Sequence, residues 1–204
     1  MTRHRLINIT SRCLFLLGVV SLLGFGALFT SSLRVYAGPI SGTYVLSPSN
    51  IDTGFSVRVL GRGPVLGEFK NVTGKMILDH KRPEKSRVNV TVDLRSVKTN
   101  NDRVTGFLKS SAMFDVANHP VAKFQSTRIV ITGKYSAEVE GVLSLRGQRK
   151  RTKLSVKIMN TNSRGRVAFE VSGGFFRSLY GMDAGLPIYA DKVNLKIRGT
   201  GRRG

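Results

Sequence analysis

The chain has 204 residues, of which 33 are Lys or Arg and 12 are Asp or Glu, so its formal net charge is +21 at pH 7. Hydrophobic residues make up 41% of it, enough to build a core, which excludes a chain that is disordered by composition. One Cys and three His exclude a disulfide framework, a Cys-rich zinc module and a Cys/His redox centre.

The N-terminus has the pattern of a secretory signal peptide. Basic residues precede an apolar run over residues 13–29, and small or β-branched residues follow at Val35 and Ala37. We expect cleavage between Ala37 and Gly38, which would remove residues 1–37 and leave one domain over residues 38–204. The alternative is a permanent membrane anchor, because an apolar run of 17 residues is near the lower limit for spanning a bilayer.

The positive charge is open to more than one interpretation. Removal of residues 1–37 takes away four arginines and no acid, which leaves a net charge of +17. This charge can simply keep the domain soluble, or it can hold the protein against anionic lipid head groups or lipopolysaccharide. Nucleic acid is not expected as a partner, because an exported protein seldom meets it.

Apolar and polar residues alternate with a period of two along most of residues 38–204, which predicts strands with one face in a core. Residues with Gly, Pro or Asn divide these runs and predict turns at 61–64, 81–83, 133, 147, 162–165 and 173–174. The clearest alternating runs are residues 55–59, 87–95, 153–158, 167–171 and 192–198. Eight or nine strands at this spacing favour an all-β antiparallel barrel or sandwich.

Residues 100–117 depart from the alternation. Val104, Phe107, Leu108 and Phe114 are spaced irregularly, with Asn and Asp residues before them as possible N-caps. The segment predicts one short helix that closes an end of the barrel.

No motif in the sequence carries catalytic chemistry. His80 and His119 have no neighbouring ligands at metal-site spacing, and no carboxylate pair or nucleophile-elbow Ser is visible. Residues 199–204 match G-x-G-x-x-G, but they lie in a Gly/Arg-rich C-terminal tail with no helix to follow. We therefore expect no enzymatic activity, no metal and no cofactor.

An eight-stranded barrel leaves two structural alternatives open. Its interior can be filled by its own side chains, or it can hold one small ligand. The residues predicted to face inward are mostly Val, Leu, Ile and Phe, and the chain has no Trp to plug the middle.

Five motifs in order resemble the YceI-like family over about residues 42–198. In chain order they are Gly67 to Phe69 with Gly74, FLKSSAMFDVANHP at 107–120 followed by Phe124, GVLSLRGQR at 141–149, FFRSLYGM at 175–182, and the closing strand at 193–197. The resemblance implies a periplasmic, lipocalin-like barrel that binds an amphiphile with a long isoprenoid or acyl tail, in several members a polyisoprenoid quinone.

The chain departs from this family at polar positions. Asn50 stands where the family often has a His, and residues 104–109 lack the Arg, Asp and His that the family often has in the helix. These differences concern recognition of a head group, whereas the apolar pattern of the interior is intact.

We therefore expect an antiparallel eight-stranded lipocalin-like barrel that acts as a periplasmic carrier of a long-chain lipid. Arg177 is the candidate for a polar contact; alternatively, it is a structural partner to a carboxylate. The predicted apolar lining is Phe55, Val57, Phe69, Val88, Val90, Val92, Phe124, Leu143, Leu145, Leu154, Val156, Phe169 and Leu195. One alternative is a basic protein with a filled barrel that binds anionic envelope lipids or polysaccharides; a second is an enzyme with a dispersed site.

Overall fold

The computed structural model describes residues 40–162 and 165–204, so the predicted signal peptide and its cleavage site at Ala37 and Gly38 lie outside the described residues. Short 3₁₀ turns occur at Pro83–Lys85, Leu94–Ser96 and Arg177–Tyr180. The longer elements are β1 (Gly42–Leu46), β2 (Ile51–Val59), β3 (Arg62–Phe69), β4 (Val72–Leu78), β5 (Arg87–Asp93), β6 (Val97–Thr99), α1 (Asp102–Lys109), β7 (Val121–Gly133), β8 (Ser136–Leu145), β9 (Gln148–Asn162), β10 (Arg166–Phe176) and β11 (Tyr189–Arg203).

The strands form a closed antiparallel barrel. β1 and β2 both pair with β11. Next to them, β4 pairs with β1 and β3 pairs with β2, and in the following position β5 pairs with β4 and β6 pairs with β3. β1 with β2, β3 with β4, and β5 with β6 therefore each form one bent strand of the barrel. Together with β7 to β11, which pair in chain order, they make eight barrel strands, and the pairing of β1 with β11 closes the ring. The prediction of an eight-stranded barrel is confirmed.

The predicted short helix is present as α1 and covers one end of the barrel. The side chain of Asn101 caps it by accepting hydrogen bonds from the N–H groups of Arg103 and Val104. On its inner face, Leu108 is buried with Met113 and Phe114 from the segment that follows. We call this end the closed end.

The core has two clusters, one towards each end of the barrel. The cluster at the closed end includes Leu94 and Tyr180, and the other is built around Tyr44 and Val167. Phe69 packs against both clusters, so apolar side chains follow the whole length of the barrel.

One turn prediction is wrong, and another includes the turn only at its first residue. Gly173 and Gly174 lie inside β10, where a Cβ atom on Gly174 would collide with the carbonyl oxygen of Val193. These glycines allow neighbouring strands to approach closely instead of turning the chain. Gly63 and the proline after it belong to β3. The hairpin turns two residues before Gly63, at Gly61, whose φ is +69°.

The C-terminal Gly/Arg-rich segment is also not a tail. β11 continues to Arg203; Gly201 pairs with β10, and Arg203 pairs with Tyr44 of β1. These residues close the barrel.

Candidate ligand-binding cavity

An apolar cavity of about 280 Å³ occupies the lumen of the barrel. Each of the eight barrel strands contributes side chains to its wall. The volume is close to the lower end of the roughly 300–1,000 Å³ that is usual for small-molecule sites.

All thirteen residues that alternation assigned to the interior line this cavity. They are Phe55, Val57, Phe69, Val88, Val90, Val92, Phe124, Leu143, Leu145, Leu154, Val156, Phe169 and Leu195. The period of two fixes which side chains share a face of a strand, and the closed ring turns that face inward. Whether these residues bind a ligand stays a prediction.

The middle of the wall is not packed solid. Val88, Val90 and Val92 on β5 and Leu154 and Val156 on β9 face inward, yet each keeps part of its surface accessible. In a filled barrel, facing side chains would shield one another completely. The lumen is therefore hollow between the two end clusters.

Glycines in the wall let aromatic rings lie against it. Phe55 on β2 pairs with Gly67 on β3, and Phe169 on β10 pairs with Gly199 on β11. A Cβ atom on Gly199 would come within 2.7 Å of the Phe169 ring, and one on Gly67 would collide with the Phe55 ring. Because each ring occupies the space that a side chain would take, it does not have to project into the lumen.

Arg177 lies at the closed end of the cavity and is only 2% exposed. Its guanidinium group donates hydrogen bonds to the main-chain carbonyl oxygens of Met182, Ala184, Tyr189 and Ala190. The structure thus gives Arg177 carbonyl partners where the sequence suggested a carboxylate. Its role towards a ligand head group stays a prediction.

The electrostatic setting of Arg177 is dominated by burial. Desolvation lowers the pKa of its guanidinium, and the nearby carboxylates of Asp191 and Asp183 raise that pKa by less. The carboxylate of Asp191 accepts hydrogen bonds from the main-chain N–H and the hydroxyl of Ser178. Arg177 and Asp191 together therefore hold the segment that seals the closed end.

Among the residues that the structure describes, two buried hydroxyl groups have no hydrogen-bond partner of good geometry. One belongs to Thr53, a cavity-lining residue that is 6% exposed, and the other to Tyr180 at the closed end. Burial raises the pKa of Tyr180, and the neighbouring hydroxyl of Thr152, which also lines the cavity, lowers it by less. Thr53 and Thr152 thus place hydroxyl groups on a wall that is mostly apolar.

Sequence reasoning missed Thr53 and Thr152 because it looked for apolar residues. The alternation itself could have found them. Thr53 continues the inward series of Phe55 and Val57 on β2, and Thr152 continues the inward series of Leu154 on β9.

The cavity opens at the end opposite α1. At the closed end the lining residues Leu94, Leu108 and Met182 are buried, whereas His80 and Ile131 at the other end are exposed although they line the cavity. We call this end the mouth. It lies between residues 79–86, which we call the mouth loop, and the β7–β8 hairpin.

The mouth loop is held by its first residue. The carboxylate of Asp79 accepts hydrogen bonds from the main-chain N–H groups of Lys81 and Arg82 and from the Arg82 side chain, and its main-chain N–H donates to the hydroxyl of Ser86. The hydrogen bond from the Arg82 main chain is the main cause that lowers the pKa of the Asp79 carboxyl. The carboxylate therefore stays ionised at neutral pH and keeps the loop in place.

The described residues 40–162 and 165–204 contain no group of three or more His, Cys, Asp or Glu side chains placed to hold a metal ion. His80 lies in the mouth loop, and His119 lies beside Gly147 of the β8–β9 turn. In the same residues, no helix has the length and apolar character needed to cross a membrane.

Solved structures share this barrel. BcnA of Burkholderia cenocepacia superimposes with a TM-score of 0.70 at 19% identity, over 76% of this chain and 98% of that structure. A domain from Saccharophagus degradans, described as polyisoprenoid binding, gives a TM-score of 0.62 at 15% identity, over 80% of this chain and 99% of that structure. At these identities the likeness shows the fold.

Sequence relatives show the family. The chain is 31% identical over 153 residues to a UPF0312 protein of Serratia proteamaculans, which covers 73% of this chain and 79% of the relative. It is 33% identical over 105 residues to a UPF0312 protein of Ectopseudomonas mendocina, and in this and similar matches the chain spans about half the length of the curated relative. A family model described as a YceI-like domain matches residues 44–200. The chain belongs to the YceI-like family.

Proposed function

We propose that this protein is a non-enzymatic carrier of the bacterial periplasm that holds the tail of a long-chain amphiphile, such as a polyisoprenoid or its quinone, inside the barrel. The observation that carries the proposal is the hollow lumen, whose wall is apolar on all eight strands and accessible at its middle. The described polyisoprenoid binding of the Saccharophagus degradans domain supports the same class of ligand.

The energetics favour a long apolar tail. Each buried methylene contributes roughly 0.8 kcal/mol, so a tail of about 20 carbons gains on the order of 16 kcal/mol before the costs of association. Those costs are about 4–15 kcal/mol. A tail in this lumen can therefore be retained without a strong head-group contact.

The alternative, a basic protein with a filled barrel, agrees equally well with the positive charge. It does not agree with the accessible side chains of the cavity wall. A filled barrel requires inward side chains that shield one another, and Val90 and its neighbours on β5 do not. The high positive charge is compatible with both functions, so the accessible wall of the lumen is what supports the carrier function.

The test is the content of the native protein. We expect protein purified from the envelope of the cells that make it to release one long-chain lipid per chain into organic solvent, identified by mass spectrometry. An extract with no stoichiometric lipid, from protein that is folded and was never exposed to detergent, would contradict the carrier function.

Export is a separate part of the proposal and has its own test. N-terminal sequencing of protein from the periplasmic fraction should begin at Gly38. Protein that still carries residues 13–29 and sediments with the membrane would support the anchored alternative.

A further inference from the structure

The mouth of the barrel carries exposed apolar groups that continue from the cavity wall. Ile131, on the β7–β8 hairpin, lines the cavity and is 55% exposed. Tyr135, at the turn of the same hairpin, is 51% exposed. Ile129, one inward position deeper on β7, is buried. An apolar path therefore leads from the lumen to the tip of the hairpin.

The β7–β8 hairpin extends past its neighbour on one side. The pairing of β5 with β7 ends at Asn89 and Gln125, and the β7 residues beyond it pair only with β8. The 3₁₀ turn of the mouth loop packs against β7 near this point, and its Pro83 lines the cavity. The mouth loop and the hairpin are thus neighbours on the same side of the opening.

Three lysines lie in the two segments beside this apolar path. Lys81 and Lys85 in the mouth loop and Lys134 in the hairpin are exposed. The ammonium group of Lys134 lies over the Tyr135 ring, 5.2 Å from its centroid. An aromatic ring with a polar tip and a neighbouring lysine is the combination that anchors proteins at the boundary between lipid head groups and acyl chains.

We propose that the mouth docks on the surface of an anionic phospholipid bilayer, with Ile131 and Tyr135 inserted at the interface and Lys81, Lys85 and Lys134 against the lipid phosphates. Docking in this orientation opens the lumen onto the acyl chains, so a lipid tail passes between bilayer and barrel without crossing water. The inference rests on the proposed carrier function for its purpose, but the docking itself is measurable without any bound ligand.

The charge contribution is tested with vesicles of phosphatidylcholine that contain about one-third phosphatidylglycerol. We use the exported protein and a variant in which Lys81, Lys85 and Lys134 are each changed to Gln. Because each lysine near an anionic surface strengthens binding by a factor of about 5, loss of all three should weaken binding about a hundredfold. Wild-type binding should also fall between low and physiological salt, where exposed charges are screened within about 8 Å.

The matched control removes the same charge from the closed end. Lys98, Arg103 and Arg149 are exposed on β6, on α1 and at the start of β9, so their replacement by Gln changes the net charge equally. This variant should keep vesicle binding within about threefold of wild type. Equal losses in the two variants would mean that net charge, and not the mouth, attracts the bilayer, and would overturn the proposal.

Insertion is read by fluorescence, because the chain contains no Trp of its own. Tyr135→Trp should shift its emission to the blue on anionic vesicles. Leu60→Trp, at the 78% exposed tip of the β2–β3 hairpin near the closed end, should not shift. A shift of Leu60→Trp alone would place the docking surface at the closed end. Lysine-dependent vesicle binding with no shift at Tyr135→Trp would show contact with the lipid head groups alone and would overturn insertion of the mouth.

These outcomes separate docking from cargo. A protein that yields no lipid on extraction but docks through the mouth would refute the carrier function and retain the docking surface. If the protein carries lipid but the mouth variant and the closed-end variant bind vesicles equally well, the docking surface is refuted and the carrier function is retained.

Discussion

Val90→Trp distinguishes a hollow lumen from a packed core more directly than any other single change. Val90 lies in the middle of β5, paired with Gly74 on β4 and with Phe124 on β7, and its inward side chain remains partly accessible. A Trp at this position projects an indole ring into a cavity of about 280 Å³. The ring should block passage of a tail along the barrel.

The expected magnitude follows from the carbon atoms that the indole displaces. Exclusion of one isoprene unit removes about five carbons at roughly 0.8 kcal/mol each, or about 4 kcal/mol in total. Binding of a polyprenyl probe should therefore weaken about a thousandfold. In a hollow lumen the ring fits without strain, so the ligand-free protein should unfold at nearly the wild-type temperature.

A packed core would behave in the opposite way. Overpacking costs about 1–3 kcal/mol, which corresponds to a loss of roughly 2–12 °C in melting temperature for a domain of this size. The assay pairs thermal unfolding of delipidated protein with titration of the probe. Asn89→Trp adds the same bulk to the exposed outer face of β5 and should alter neither. A large fall in melting temperature with unchanged probe affinity would refute the argument for a hollow lumen.

Three further changes test the wall and the closed end. Gly67→Ala should force the Phe55 ring off the wall and into the lumen, which should weaken tail binding and cost about 1–3 kcal/mol of stability in urea unfolding. Gly63→Ala on the same strand has open space around it and should leave the stability unchanged. Arg177→Met should cost more than about 3 kcal/mol in the same assay, because it leaves four buried or partly buried carbonyl oxygens without their donor. A loss of ligand binding with unchanged stability would instead assign Arg177 to the head group. Burial raises the pKa of Tyr180, so the neutral hydroxyl of the folded state contributes stability that is present below about pH 10 and is lost as the pH rises towards the folded-state pKa; the melting temperature of Tyr180→Phe should fall less steeply above pH 10 than that of wild type, and parallel curves would contradict this assignment.

The strands and the cavity wall were predictable from the sequence because one physical rule governs both. Alternation with a period of two decides which side chains share a face, and barrel closure turns that face inward. Val88, Val90 and Val92 thus reach the lumen with no further information. The cap formed by α1 was predictable for a similar reason, since Asn101 is a good N-cap and the apolar residues after it lose the period of two.

Glycine was the main source of error, because its effect depends on what packs against it. Gly61 turns the chain at a positive φ, whereas Gly174 lies flat within β10 under a neighbouring carbonyl group. Both positions look alike in the sequence, and a turn signal gives the same prediction for each. Only the paired strand shows that Gly67 and Gly199 make room for phenyl rings, and that pairing is a long-range property.

The placement of charge around the barrel was likewise beyond the sequence, although its amount was not. A net charge of +21 is compatible with solubility alone as long as the cations are spread over the surface. Their significance changes when Lys81 and Lys134, which are far apart in the chain, lie in neighbouring segments beside one apolar opening. In the proposed docking, the lipid phosphates would face the lysines and the acyl chains would face the hollow apolar lumen, so the opening would match both layers of a bilayer. The two features that the sequence left as competing functions, the charge and the cavity, are on this argument parts of a single one.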